Sequence, residues 1–294
     1  MRKLIIFGLI GGLAQLIDGA LGMAYGVTST SLLLTAGLAP AAASASVHLA
    51  ELGTTFASGV AHWRFGNVDW RIVGLMTFPG AAGAFLGAVV LSSLSAESAE
   101  PIVASILLVL GAYIVVRFAR RRKDRSDEPK ERRPLPKLLL SPLGGFAGFM
   151  DAVGGGGWGP IGTPTLLASG RVEPRKAVGS VDTGEFMVSL GASVGFLVAL
   201  SFANVNLGFV LALLVGGVVV APLAAWLVRS LPARVLGLAV GGLIVVTNLR
   251  TLAEVAGIEK ATLGPIYVAL VAAGLVMLGV ALAGHRRRTA AATT

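Results

Sequence analysis

The hydrophobic positions of this chain form long uninterrupted runs. Runs without any charged residue lie at 72–96, 186–228 and 261–284. A helix that crosses a bilayer needs about 20 mainly apolar residues, and the middle run is long enough for two such helices. Together with less extreme segments, the pattern predicts seven full crossings, at 40–63, 72–96, 100–117, 173–201, 206–228, 232–250 and 261–284.

Two further apolar segments, 3–36 and 138–169, are each interrupted near the centre by an aspartate and glycines, in "LIDGALGMAYG" and "FMDAVGGGGWGP". Such a segment is either one broken helix or a re-entrant hairpin. Because Lys and Arg in short loops prefer the cytoplasm, a hairpin places the basic loop 117–137, the "GRVEPRK" loop and the C-terminal "HRRR" on that side. The charges favour the hairpin, but this interpretation puts Arg2 and Lys3 outside, so an N-terminus inside with a crossing first segment stays open.

The two interrupted segments belong to an internal repeat. "GGLAQLIDGALGMAYGVTSTSLLLTAG" aligns without gaps on "GGFAGFMDAVGGGGWGPIGTPTLLASG", which pairs Asp18 with Asp151. With one inserted residue the match continues and pairs Glu51 with Glu185. Matching loops carry opposed charges, as inverted topology requires, and inverted repeats are typical of secondary transporters with a site at discontinuous helices.

The predicted fold is an all-α integral membrane protein with two inverted repeats and one extra C-terminal transmembrane helix. Each repeat is a broken or re-entrant helical hairpin plus three transmembrane helices. The predicted parts are a first membrane repeat (1–118), a basic cytoplasmic linker (119–137), a second membrane repeat (138–256), a C-terminal transmembrane helix (257–284) and a cytoplasmic tail (285–294).

Composition excludes several classes of function. Hydrophobic residues make up 55% and charged residues 13% of the chain, against roughly 25% charged residues in a soluble domain. With no cysteine and three histidines, the sequence predicts neither a metal site nor a cofactor. The net charge of +9 lies mainly in the linker and at the C-terminus, which indicates membrane topology and not a nucleic-acid partner.

Acidic residues at the centres of apolar segments are the first candidates for function. An ionised carboxylate at the bilayer centre costs about 2.5–3.5 kcal/mol on insertion scales, so such residues usually face a cavity or a partner. His48 lies three residues before Glu51, and Asp182 three before Glu185, so each pair shares a helix face. Because histidine titrates near neutral pH, the pattern suits coupling to a proton or cation. The candidate coupling residues are Asp18, His48, Glu51, Asp151, Asp182 and Glu185.

Each acid also has a structural interpretation, in which a neutral carboxyl bonds backbone groups and holds a broken helix together. His48 can equally serve as a helix-packing hydrogen bond.

The glycine run offers a site for an anion. Glycines let backbone N–H groups approach a ligand, and a half-helix that begins after them directs its positive dipole end at an anion. Close helix packing through small residues is the alternative. The candidate substrate-binding residues are Gly154, Gly155, Gly156, Gly157, Thr163, Thr165, Ser180 and Thr183.

The two similar halves, the stretch "GFMDAVGGGGWGPIGTPTLL" followed by "GRVEPRKAVGSVDTGE", and the basic loop between the halves resemble the sulfite exporter TauE/SafE family of membrane permeases. The resemblance implies export or uptake of a sulfur-containing anion in a prokaryotic cytoplasmic membrane. It points to Asp151, glycines 154–157, Thr163, Pro164 and the stretch 180–185. The first half departs from the pattern because "DGALGMAYGVTSTSLLL" lacks the dense glycine run.

The predicted function is a secondary transporter with a small anionic substrate, a proton or cation as coupling ion, and the lipid bilayer as its surroundings. The anion is expected at the midplane between the two hairpin tips, with the halves rocking for alternating access. A homo-oligomer is compatible with this prediction. A non-transporting membrane scaffold remains an alternative, as does an intramembrane aspartyl protease in which Asp18 and Asp151 share one proton.

Overall fold

The computed structural model describes residues 2–21, 23–120, 135–169, 171–200, 207–227 and 233–258. Within these residues the chain forms ten α-helices and no strand. The all-α fold class is therefore confirmed. The predicted helix at 261–284, the cytoplasmic tail and most of the basic linker lie outside the described residues.

The helices follow one another in two sets of five with closely similar lengths. The first set is α1 (Arg2–Leu21), α2 (Tyr25–Thr35), α3 (Pro40–Arg64), α4 (Trp70–Ser93) and α5 (Ala96–Ala119). The second set is α6 (Lys137–Gly154), α7 (Trp158–Ala168), α8 (Pro174–Leu200), α9 (Leu207–Leu227) and α10 (Ala233–Val255). The short second helix of each set has 11 residues, too few to cross a bilayer at about 1.5 Å per residue.

The bundle is suited to a membrane because its outer surface is apolar. Among the described residues, three helices are long and apolar enough to cross: Trp70–Ser93, Ala96–Ala119 and Lys176–Leu200. Large apolar side chains such as Phe78 and Val198 are 69% exposed on these helices. The interior is largely apolar too, but it also holds buried polar side chains, among them His48 and Glu51. An apolar exterior with ionisable groups kept inside the bundle is the arrangement expected of an all-α membrane protein.

Both predicted breaks are present in the structure. α1 ends at Leu21 and α2 begins at Tyr25, while α6 ends at Gly154 and α7 begins at Trp158. The second break has Gly155 and Gly156 at φ 66° and 152°, and glycine adopts such angles at little cost because it lacks a Cβ atom. In the first break the non-glycine residue Ala24 has φ 93°.

Contacts between helices establish their relative directions. α3 and α8 run antiparallel, because Glu51 meets Ser189 while His62, further along α3, meets the earlier residue Asp182. α5 and α10 are also antiparallel, since Gly111 lies against Ile244 while Val115, later in α5, lies against the earlier residue Gly241.

α4 runs parallel to α6, because Gly144 lies against Met76 and the later Gly148 against the later Gly80. It also runs parallel to α8, where Gly184 lies against Thr77 and Gly191 against Ala81. Because α6 and α8 point the same way, both begin on the same side of the bundle. The chain therefore enters along α6, reverses at the break and returns along α7 to that side, as a re-entrant hairpin does. The equivalent pairs α3 and α8, and α5 and α10, thus run in opposite directions, as the predicted inverted repeat requires.

The two sets are interlocked. α1 packs along α9 of the other set, where a Cβ atom on Gly11 would overlap the Leu213 carbonyl oxygen. The equivalent α6 packs along α4, where a Cβ atom on Gly148 would overlap the Gly80 carbonyl oxygen. Small residues allow such backbone contact between membrane helices. The predicted halves therefore share one core, and a rocking motion that separated them would break both contacts.

We expect Gly148→Ala to destabilise the protein because the added methyl group meets backbone that cannot rotate away. Overpacking of this kind costs about 1–3 kcal/mol, which thermal unfolding in detergent should detect as a lowered midpoint. Gly145→Ala is the matched control, because a Cβ atom there has its nearest neighbour, the Pro79 carbonyl oxygen, at 3.7 Å. Equal midpoints for the two variants would contradict the close α4–α6 contact.

Candidate functional site

The two broken segments touch each other at their breaks. A Cβ atom on Gly156 would overlap the backbone of Gly26 and Val27. The Thr30 hydroxyl donates a 2.6 Å hydrogen bond to the Gly155 carbonyl, and the Ser44 hydroxyl donates one of 2.7 Å to the Ala152 carbonyl. The two helix interruptions thus form a single crossing inside the bundle.

The four glycines of the second break are buried and closely packed. A Cβ atom on Gly154 would lie 2.7 Å from Ile106, and one on Gly155 would overlap Thr30. On Gly157 it would lie 3.1 Å from the Asp151 nitrogen. This geometry matches the close-packing interpretation of the run, and none of the four offers open space beside its backbone.

Asp151 joins the two ends of the second break. Its Oδ1 accepts hydrogen bonds from the backbone N–H groups of Gly157 at 2.6 Å and of Trp158 at 2.9 Å. These groups lie at the start of α7, where backbone donors have no partner within the helix. The carboxylate therefore caps α7 across the break and occupies donors that the glycine pattern suggested for an anion.

Asp18 occupies the same place in the first set. Its Oδ1 accepts a 3.3 Å hydrogen bond from the backbone N–H of Tyr25, the first residue of α2. The internal repeat pairs Asp18 with Asp151 and Tyr25 with Trp158, so each aspartate caps the half-helix of its own set. Among the described residues no hydrogen bond joins Asp18 to Asp151, and the bonds they make are to separate half-helices.

His48 and Glu51 form a buried polar cluster beside the crossing. His48 Nδ1 lies 3.0 Å from Glu51 Oε2 and 3.8 Å from Asp151 Oδ2. The Ser189 hydroxyl donates a 3.1 Å hydrogen bond to Glu51 Oε2. His48 is fully buried and Glu51 is 2% exposed. Through these contacts α3 connects the cap of α7 with the middle of α8.

A small polar cavity of about 10 Å³, room for about one water molecule, lies next to Glu51. Four carboxylates line it, and its described lining includes no Lys or Arg. The lining residues are Gln15, Asp18, Tyr25, Glu51, Thr54, Thr55, Ser58, Asp182 and Glu185. We call this space the acidic cavity. It brings together the repeat-matched glutamates Glu51 and Glu185.

Two buried polar atoms of the acidic cavity have no protein partner. The Tyr25 hydroxyl and Asp182 Oδ2 make no hydrogen bond, although Tyr25 is 4% and Asp182 8% exposed. His62 Nε2 lies 3.8 Å from Asp182 Oδ2. Because buried polar groups in proteins are nearly always paired, these atoms are available to a ligand or water. No group of three His, Cys, Asp or Glu side chains in the described ranges is placed to hold a metal ion.

The predicted hydroxyl ligands have separate surroundings. Thr163 is fully buried and its hydroxyl has no partner, whereas the Thr165 hydroxyl donates to the Ile161 carbonyl at 2.6 Å. The Ser180 hydroxyl accepts a 2.8 Å hydrogen bond from the Asp69 backbone. Thr183 lines an apolar groove with aromatic side chains. The structure thus brings the predicted acids together but not these four hydroxyls.

Several residues that line the acidic cavity or contact its carboxylates were not predicted from the sequence, although helical spacing could have identified some of them. Thr55 and Ser58 follow Glu51 by four and seven residues, and Ser189 follows Glu185 by four. Positions so spaced share one helix face. Gln15 and Tyr25 reach the acidic cavity, and His62 reaches Asp182, only because α1, α2 and α8 pack around α3.

Comparisons with known proteins agree on the class of this chain. Residues 7–251 match the family described as sulfite exporter TauE/SafE. The probable membrane transporter protein YtnM of Bacillus subtilis (strain 168) is 52% identical over 252 residues, which cover 86% of this chain and 83% of that protein. No solved structure matches the chain.

We expect Asp151→Ala to destabilise the protein, because it leaves two buried backbone N–H groups without an acceptor. An unpaired buried donor costs about 1–3 kcal/mol, and hydrogen exchange of residues 155–161 should quicken. Asp151→Asn keeps a side-chain oxygen and should retain most of the stability. If Ala and Asn lower the unfolding midpoint in detergent equally, the cap does not hold the break together.

Proposed function

This chain belongs to the sulfite exporter TauE/SafE family and is a multi-pass membrane transporter, and we propose that it moves a small sulfur-containing anion across the cytoplasmic membrane of a prokaryote. The proposed substrate is sulfite, a sulfonate or a related anion, and the proposed mechanism is secondary transport coupled to a proton or cation. The observation that carries the coupling is the acidic cavity, where Glu51 of the first set faces Glu185 of the second.

The charge of the acidic cavity calls for a positive partner. Buried carboxylates are costly unless they are paired, and the described lining provides four of them without a Lys or Arg. Protons or a bound cation balance this charge most simply. Loss and gain of that partner would supply the coupling step of a secondary transporter.

A polar connection links the acidic cavity to the crossing of the broken helices. Glu51 lines the cavity and contacts His48 Nδ1 at 3.0 Å, and His48 in turn lies 3.8 Å from the cap residue Asp151. A change of charge at Glu51 therefore reaches the residue that holds α7 in place. This supports coupling between ion binding and the shape of the crossing.

The anion is proposed to bind at the acidic cavity beside the crossing, in a conformation in which this space, about 10 Å³ in the structure, has widened. Because Asp151 already occupies N–H groups at the start of α7, neutral donors of the cavity are the better ligands. Tyr25, Gln15 and Ser58 are such donors. The proposed binding place is thus still near the predicted midplane, but side-chain donors bind the anion in place of the backbone N–H groups of the glycine run.

The interlocked helices suggest which parts move. Rocking of the two sequence halves would separate α1 from α9 and α6 from α4, which pack at backbone contact. We therefore favour motion of the α1–α9 pair against the α4–α6 pair, with the acidic cavity between α1 and α8. The side on which α5 ends and α6 begins is proposed to face the cytoplasm, since Arg64, Arg71 and Lys176 lie near it.

We expect sulfite flux in proteoliposomes to respond to a proton gradient in the wild type. Glu185→Gln removes a cavity charge and Asp151→Asn removes the charge of the cap, so each should reduce the gradient-sensitive flux about tenfold or more, the equivalent of a lost 1.4 kcal/mol of coupling. Radiolabelled sulfite uptake with and without the gradient provides the measurement.

Glu254→Gln is the control, because Glu254 is exposed on α10 and pairs with Arg250 at 3.0 Å, far from the acidic cavity in sequence and contacts. It should behave as the wild type does. An absence of sulfite and sulfonate flux from folded protein would reject the proposed substrate class and favour the membrane scaffold.

A further inference from the structure

The acidic cavity conflicts with the charge of the proposed substrate. Four carboxylates line it, and like charges in a space of low dielectric constant repel strongly. An anion therefore cannot share the cavity with four ionised acids. If this protein carries an anion through the cavity, the state that binds the anion must have lost most of that negative charge.

We propose that the protein is a proton–anion symporter, in which the anion enters the acidic cavity only after its carboxylates have taken up protons. This inference rests on the proposed function and fixes the direction of coupling, which the proposed function leaves open. Proton and anion then move through the membrane together.

The chemistry of a protonated carboxyl supports this order of events. An ionised carboxylate only accepts hydrogen bonds, whereas a protonated one carries an O–H donor. Protonation of Glu185 or Asp182 thus turns a group that repels an anion into one that can bind it. The buried Tyr25 hydroxyl, which has no partner, is a further donor on the cavity wall and indicates independently that a ligand belongs there.

The groups that face the acidic cavity leave few other sources of positive charge. The titratable side chains near it come from α1, α2, α3, α6 and α8, while the described residues of α9 beside it are apolar or glycine. These side chains are Asp18, Tyr25, His48, Glu51, His62, Asp151, Asp182 and Glu185. The two histidines alone can become positive. His48 already contacts Glu51 and Asp151, so it offers no free charge to an anion.

Symport predicts which way a proton gradient drives the substrate. We assign one transported proton to each monovalent anion, while the other carboxyls of the cavity stay protonated throughout the cycle. This stoichiometry moves no net charge, so the pH gradient alone sets the accumulation. A gradient of one pH unit then supports about tenfold accumulation on the alkaline side. In a cell that keeps its exterior acidic, the proton gradient drives the anion inward.

The test uses full-length protein in proteoliposomes and radiolabelled methanesulfonate. A sulfonate stays ionised at every working pH, whereas sulfite itself takes up protons and would confuse the count. With the external medium one pH unit more acidic than the lumen and no sodium gradient, we expect about tenfold luminal accumulation. A luminal pH dye should report acidification that depends on methanesulfonate.

Two variants separate coupling from folding. Glu185→Gln and Asp182→Asn keep a hydrogen-bond donor but cannot titrate, so accumulation should fall to about onefold while methanesulfonate exchange across the membrane continues at a reduced rate. Glu254→Gln should accumulate the anion as the wild type does. A variant that shows exchange is folded, which removes misfolding as the explanation.

Two results would overturn the symport proposal and leave the proposed function standing. One is accumulation only when the lumen is the more acidic side, which is antiport. The other is accumulation that ignores the pH gradient and follows a sodium gradient. If neither methanesulfonate nor sulfite crosses at all, the proposed function itself fails and the symport proposal fails with it.

Discussion

Two helices of this protein restart inside the bundle, and each restart exposes backbone N–H groups that need a partner. Away from water an unpaired donor is costly, and an aspartate lies three residues before the end of the helix that precedes each break. Asp151 accepts from Gly157 and Trp158, and Asp18 accepts from Tyr25. Everything else at the centre of the molecule depends on these caps, because they fix where α7 and α2 begin.

The crossing of the two breaks organises the polar interior. Gly26 and Gly156 meet at backbone contact, which brings α3, α6 and α8 close enough for His48, Glu51, Asp151 and Ser189 to form one cluster. The acidic cavity begins at the same glutamate. Structural caps and candidate coupling groups are therefore neighbours, and a proton that arrives at Glu51 acts within a few ångströms of the crossing.

The acidic cavity also changes how the repeat is understood. Matched residues do not serve matched purposes: Glu51 is held by His48 and Ser189, while Glu185 lines the cavity without a comparable pair of partners among the described contacts. Equivalent positions thus provide one fixed and one freer carboxylate. Because α1 packs on α9 and α6 packs on α4, each across the two sets, the groups of helices that can move as rigid units need not be the two repeats.

The sequence by itself determined the all-α membrane class, the position of both breaks and the candidate acids. Only long apolar runs can cross the hydrocarbon, glycines mark where such a run is interrupted, and a charge inside the membrane is costly and so indicates a function. It also matched Asp18 with Asp151 and Glu51 with Glu185. It could not decide that the glycines 154–157 pack against α2 and α5, that Asp151 takes the N–H groups of α7, or that Tyr25 and Gln15 line a cavity with Asp182. The glycine packing depends on contacts between residues more than 100 positions apart, such as Thr30 with Gly155, and only the tertiary structure fixes which helix faces meet. The cap is local in sequence, but the angle between α6 and α7 at the break decides whether Asp151 reaches those N–H groups.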